Sequence, residues 1–297
     1  MLKLKSVNLQ KSRISTLAVP VCEDENIHTS PLSKLVEQAK KLEEFHGRTD
    51  ETLTLHKPDG THADRVLFIG LGKQGELDPE KLRAFSGKAV KATIKHGLKD
   101  IAIGPPLSDL LPMAEADMLT AVLEGACLGN HVFDRYKNEK ALKPLKHITL
   151  ALPPGAVKTY AKLPRRVEAI SRGTLLARDW VSMPSNDKTP AQLSKTFINL
   201  ARKEHLKTTL LSPKQLQQEK FGALMAVAAG SRNTPRLAVL EYAPEGAKKT
   251  IALVGKGVTF DAGGINLKPA GGLENMKCDM SGAAAVAATL ITVAKLK

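Results

Sequence analysis

The chain has 297 residues, 42% of them hydrophobic and only 4% aromatic, which excludes a disordered protein and suits helices packed on a mainly parallel sheet. That length favours two domains over one. The formal net charge is +14, with most of the excess after residue 164, but the basic residues come as singles and pairs such as Arg165-Arg166 and Lys248-Lys249; solvated faces awaiting an acidic partner account for them better than a nucleic-acid tract.

Cys22, Cys127 and Cys278 are far apart and form no CxxC pair, so reduced thiols are expected and a structural zinc knuckle is not supported. The eight histidines are scattered with no HExxH, which excludes a zincin-type helix.

In chain order, Ile14–Cys22 follows a few basic residues, but it is short and contains Pro20; it reads as a strand rather than the core of a targeting peptide. Arg65–Gly72 (RVLFIGLG), Asp100–Gly104 (DIAIG) and His147–Leu152 (HITLAL) are apolar runs that end at Gly or Pro, as buried strands do. Helical patterns lie between them at Ser33–Phe45, Pro79–His96 and Leu111–Asn130, the second opened by Asp78-Pro79 as N-cap and first helical residue. This predicts an N-terminal α/β sheet domain over residues 1–162.

Leu163–Pro190 begins with helical spacing and is broken by MPSNDKTP. A connecting helix and loop over 163–190 are expected. A helix at Pro190–His205, a strand at Lys207–Leu211 and a helix from Pro213 to about Ala229 follow, then strands at Arg236–Tyr242 and Thr250–Val254. A glycine-rich stretch leads to an alanine-rich helix from about Ser281 to the end. The apolar run Ala283–Ala294 is shorter than the ~18 residues a membrane span needs, so a cytoplasmic protein without a membrane partner is expected. Residues 191–297 are few for a sheet covered on both faces, and the fold class expected is α/β in two domains, the second being the first half of an α/β/α domain.

The stretch Leu253–Pro269, LVGKGVTFDAGGINLKP, carries the chemistry. Walker A needs GxxxxGK[ST], and Gly255-Lys256-Gly257 has neither the spacing nor the hydroxyl; GxGxxG fails at Phe260, and GxSxG occurs nowhere. A tight strand-to-loop passage explains Gly263-Gly264 and Gly271-Gly272, but it explains poorly the gathering of Lys256, Asp261, Lys268 and Asp279 around one strand end. That edge is where open α/β sheets bind ligands. Carboxylates there can hold divalent metals, which activate water and clamp a tetrahedral intermediate. A lysine is a ligand only when neutral, and an adjacent dication and burial both shift it that way. A second, charged lysine would stabilise an oxyanion.

VGKGVTFDAGGINLKP, followed by MKCDMSGAAAV, closely resembles the leucine aminopeptidase (cytosol aminopeptidase) family of dinuclear metallopeptidases. LEGACLGNHVFDRYK (Leu123–Lys137), LARDWVSMPSNDKTPAQL (Leu176–Leu193) and FGALMAVAAGSRNTPRLAVLEY (Phe221–Tyr242) extend the resemblance over essentially the whole chain. It implies Lys256 and Asp279 as ligands of the second of two divalent ions (Zn²⁺, Mn²⁺ or Mg²⁺), Asp261 as the carboxylate contacting both, and Lys268 as the catalytic lysine on the scissile carbonyl. Met276 falls where the family lines its pocket for the N-terminal side chain, and a core methionine is an equally good reading of it. The activity implied is removal of N-terminal residues, leucine-like ones favoured, from peptides, in a family that assembles as homo-hexamers. The family completes its site with a downstream Asn-Thr-Asp-Ala-Glu-Gly-Arg block, which brings two more carboxylates and an arginine associated with bicarbonate. No such block occurs in these 297 residues. The chain alone is therefore expected to be inactive and doubtful as a hexamer, and a non-catalytic or DNA-binding module of the same fold is the alternative.

Overall fold

A computed structural model describes residues 2–106, 108–139 and 142–296. The chain divides between Ser171 and Arg172 into two compact units.

The first unit is built on a six-stranded sheet of β1 (Leu2–Lys5), β2 (Leu17–Cys22), β3 (Thr52–His56), β4 (Arg65–Gly72), β5 (Asp100–Ile103) and β6 (His147–Ala151). The strand order is β1-β6-β5-β2-β4-β3, parallel except for the antiparallel edge pair β3–β4. β2 is buried along its entire length, and β4 at every residue after Arg65. Central parallel strands must bury both faces, which is why they read as continuous apolar runs. β1 is short and β3 only half-buried on one face, so neither carries a strong strand pattern of its own in the sequence. α1 (Leu32–Lys40) packs with Phe45 and Phe68 on one face. α2 (Pro79–Lys95) and α3 (Glu115–Gly129) cover the other through Leu82, Phe85, Leu119 and Val122. The Asp78 side chain accepts from Lys81 N at the start of α2. α4 (Pro154–Thr159) and α5 (Leu163–Ser182) follow, and the division between the units falls inside α5.

The second unit contains α6 (Pro190–Lys203), β7 (Lys207–Leu211), α7 (Pro213–Gln218), α8 (Gly222–Ala228), β8 (Leu237–Glu241), α9 (Ala270–Leu273) and α10 (Ser281–Lys295). β7 and β8 form a two-stranded antiparallel sheet. α6 and α7 both open on a capping box followed by proline, Thr189/Gln192 and Ser212/Gln215. The core gathers Trp180, Phe197, Met280, Ala284, Ala288 and Ile291, with the Trp180 and Phe197 rings 4.7 Å apart.

Two elements differ from those expected from the sequence. The single helix from Pro213 to Ala229 is two helices, because Lys220 adopts φ +60 and stops the first. Thr250–Val254 is not a strand: among the described residues it pairs with nothing, and Ile251 is 85% and Val254 94% exposed. An apolar β-prone run forms a strand only where a neighbour accepts its backbone and covers its side chains. The stretch Ala270–Lys295 reaches the length and mean hydropathy (1.2) of a membrane-crossing helix, but it is broken into α9, a 3₁₀ turn and α10, and α10 buries Ala284, Ala287, Ala288 and Ile291 in the core.

Candidate metal centre

Lys256, Asp261, Lys268, Met276 and Asp279 all lie between β8 and the start of α10. Their placement depends on a backbone crossing. A Cβ on Gly255 would lie 2.5 Å from Gly282 O, and one on Gly282 would lie 2.9 Å from Lys256 N. The two chain segments approach closer than any side chain allows, and Ala283 N donates to Lys256 O across the crossing at 2.8 Å. These glycines therefore serve contact of backbone with backbone.

The crossing sets Lys256 Nζ 3.0 Å from Asp279 Oδ2. That oxygen is buried and accepts no well-aligned hydrogen bond, so its neighbour is a charge held at close range. The Asp279 side chain is 19% exposed, the Lys256 side chain 60%.

The second pair forms within one loop. Lys268 N donates to Ala262 O at 3.0 Å and closes the turn, while Gly263 takes φ +94 inside it. A Cβ there would strike Asn266 O at 2.3 Å. Lys268 Nζ thereby returns to 2.6 Å from Asp261 Oδ2, and Gly263 N donates to Asp261 Oδ1 at 2.9 Å. The hydrogen bond from Lys268, then that from Gly263, hold the Asp261 carboxyl below the usual carboxylate range, and the Lys256 charge adds to the same effect. Both lysine–carboxylate pairs thus share one electrostatic neighbourhood. Met276 stands half-buried on the 3₁₀ turn Glu274–Cys278, three residues before Asp279.

Two further side chains, from the proline-broken connection before α6, reach the segments that carry these carboxylates. Ser185 Oγ donates to Thr259 O at 2.8 Å. Lys188 is completely buried, and its Nζ donates to Trp180 O at 2.8 Å and Val181 O at 3.0 Å and meets Met280 Sδ at 3.5 Å. Burial, with Lys277 adding, lowers the Lys188 pKa to about 8. The sole signal in the sequence was a lysine inside a capped turn, a pattern shared by many solvated lysines.

The donor set fits half of a metal site. Two carboxylates and two lysines gather, one carboxylate oxygen buried without an aligned donor, yet no three His, Cys, Asp or Glu side chains converge among the described residues. A sheet-bearing α/β frame with its ionisable groups collected on one glycine-rich loop defines the class of protein. Within it the chain belongs to the cytosol aminopeptidase family: the model of that family's N-terminal domain matches residues 18–140, and the model of its catalytic domain matches residues 175–297. A probable cytosol aminopeptidase of Roseiflexus castenholzii is 37% identical over 288 residues, covering 95% of this chain and 57% of its own length. The bottromycin maturation enzyme BotP in complex with Mn has a TM-score of 0.75 at 29% identity, over 95% of this chain and 56% of that one. A variant of tomato leucine aminopeptidase, 24% identical, shares the fold with a TM-score of 0.79 over 99% of this chain and 59% of that one. The chain spans somewhat more than half the length of the relatives it matches.

Proposed function

We propose that this chain carries the lysine-and-carboxylate half of a dinuclear aminopeptidase site, in a cytoplasmic protein acting on the N-termini of peptides, leucine-like residues favoured. One observation carries the reading: Lys256 and Asp279, 23 positions apart in sequence, meet at 3.0 Å over a buried carboxylate oxygen. Lys256, Asp261 and Asp279 would hold divalent metal, Mn²⁺ being favoured by the BotP complex over Zn²⁺ or Mg²⁺. Bound metal would supply an activated water and polarise the carbonyl to be attacked.

The chain's own residues do the rest. Asp279 offers a poorly solvated, pre-placed oxygen to a cation. Asp261, held ionised by Lys268 and Gly263, keeps its charge under mildly acidic conditions. Lys268 presents an ammonium to the carbonyl oxygen of the scissile bond and would strengthen its hold as negative charge develops there. Met276 offers an apolar contact to the substrate's first side chain. No described group supplies the remaining acidic ligands or the arginine associated with bicarbonate, so these 297 residues alone should be inactive; their assembly into the family's hexamer is doubtful.

The test is hydrolysis of leucine p-nitroanilide by the 297-residue chain with Mn²⁺, then with excess chelator. A folded sample without turnover is expected. Chelator-sensitive turnover abolished by Asp279→Asn would mean that the site is complete as it stands. The basic excess supports one alternative, a non-catalytic DNA-binding module; it requires an affinity that falls steeply with salt as phosphate counterions are released.

A further inference from the structure

The loop Met183–Pro190 touches both segments that carry the carboxylates. Ser185 Oγ donates to Thr259 O, two residues before Asp261, at 2.8 Å. Lys188 Nζ meets Sδ of Met280, the residue after Asp279, at 3.5 Å. Met280 is itself completely buried and sits at the N-cap of α10.

The far side of each contact is anchored. Trp180 O and Val181 O, which accept from Lys188, are among the last four carbonyls of α5, which have no partner within their own helix. An ammonium there also answers the negative end of that helix. The loop itself is closed by hydrogen bonds from Asp187 N to Pro184 O and from Lys188 N to Ser185 O, and it runs directly into the Thr189 capping box of α6. Ser185 and Lys188 are therefore held three residues apart on a fixed turn between two helices, one facing each ligand segment. A fully buried lysine is costly, and a leucine or methionine would fill the same space without that cost, though it would leave both α5 carbonyls unanswered. The lysine keeps them answered and reaches Met280 as well.

We infer that Met183–Pro190 is a clamp that fixes the spacing of the two carboxylate-bearing segments, with Ser185 positioning Asp261 and Lys188 positioning Asp279. The clamp's purpose rests on the metal reading above, but its mechanics do not.

Amide hydrogen exchange on the whole 297-residue chain tests it, with and without Mn²⁺, in the parent, Ser185→Ala, Ser185→Thr and Lys188→Met. Ser185→Ala should speed exchange over residues 258–263 about tenfold, and Ser185→Thr, which keeps the hydroxyl, should restore the parent rate. Lys188→Met should do the same over residues 277–284 and leave β7 and β8 unchanged. In both loosened variants the Mn²⁺ concentration needed to protect these segments should rise about tenfold. Unchanged local exchange in Ser185→Ala, or equal acceleration throughout the second unit in Lys188→Met, overturns the inference. Local loosening in the variants combined with a parent indifferent to Mn²⁺ upholds the clamp and overturns the metal reading instead.

Discussion

Lys256 Nζ lies 3.0 Å from Asp279 Oδ2, and the two partners are unequal: the lysine side chain is 60% exposed and the carboxylate side chain 19%. A contact between such partners responds differently according to which one is removed. A charge left behind in a poorly solvated place costs more than a charge left in water.

Lys256→Met therefore should destabilise the chain by about 1 kcal/mol, the exposure of the lysine keeping the figure low. Asp279→Asn should cost no more than about 0.5 kcal/mol, since the freed ammonium simply hydrates. Urea unfolding at pH 7 with a constant slope measures both. Equal losses in the two variants would contradict the asymmetry.

Gly255→Ala should cost about 2 kcal/mol, because the new Cβ would stand 2.5 Å from Gly282 O and neither backbone can withdraw without opening the crossing. Gly257→Ala is the control: its Cβ would meet only the Ala283 Cβ, at 3.3 Å, and should cost less than about 1 kcal/mol. The same unfolding experiment distinguishes them, and a Gly255→Ala variant as stable as the control would show that the crossing yields.

β2, β4 and β5 were legible because buried parallel strands are apolar along nearly their whole length, β6 from Ile148 and Leu150 in a short run that ends at Pro153, and α2 from Asp78-Pro79. β1 and β3 were not, because edge strands gain their conformation from a neighbour rather than from their own pattern. At the site, the resemblance picked out Lys256, Asp261, Lys268 and Asp279, but it could not tell that Lys256 faces Asp279 while Lys268 turns back on Asp261; that pairing depends on the Gly255–Gly282 crossing and on φ +94 at Gly263. Ser185 and Lys188 were invisible because their partners are backbone carbonyls and a thioether, which leave no trace in residue type.

Lys268→Met should raise the Asp261 pKa toward the ordinary carboxylate range, since the hydrogen bond from Lys268 is the largest influence holding it down and the Gly263 amide is the next. Carboxyl-carbon chemical shifts followed from pH 2 to pH 6 report it directly. Some depression should persist in the variant, because Gly263 N still donates at 2.9 Å. An unmoved Asp261 titration would mean that the 2.6 Å contact does not form in solution.

Ile251 at 85% exposure and Val254 at 94% bury almost nothing in this chain, and contiguous exposed apolar residues attract dyes and other chains. The double substitution Ile251→Ser, Val254→Ser should lower the binding of a hydrophobic dye and leave the unfolding free energy within about 0.5 kcal/mol. A larger loss of stability would indicate that the segment packs against something after all.

Lys188 should leave a signature in the alkaline limb of the stability profile. Its ordinary pKa of 10.5 is lowered to about 8, first by burial and then by the charge of Lys277, with Cys278 opposing. Below pH 8 the folded and unfolded states both hold the proton, and the fold bears the full cost of the buried charge, about 3 kcal/mol. Between about pH 8 and pH 10.5 the unfolded chain still binds the proton and the folded one does not, so stability rises with pH. Above that window neither state is protonated and the cost is gone. The neutral amine still has two N–H groups, enough for Trp180 O and Val181 O. Other lysines and tyrosines titrate in the same range, so the observable is the difference between the parent and Lys188→Met. That difference should shift in the parent's favour from pH 7.5 to pH 10. A flat difference would mean that water reaches Lys188 and that its burial is not maintained in solution.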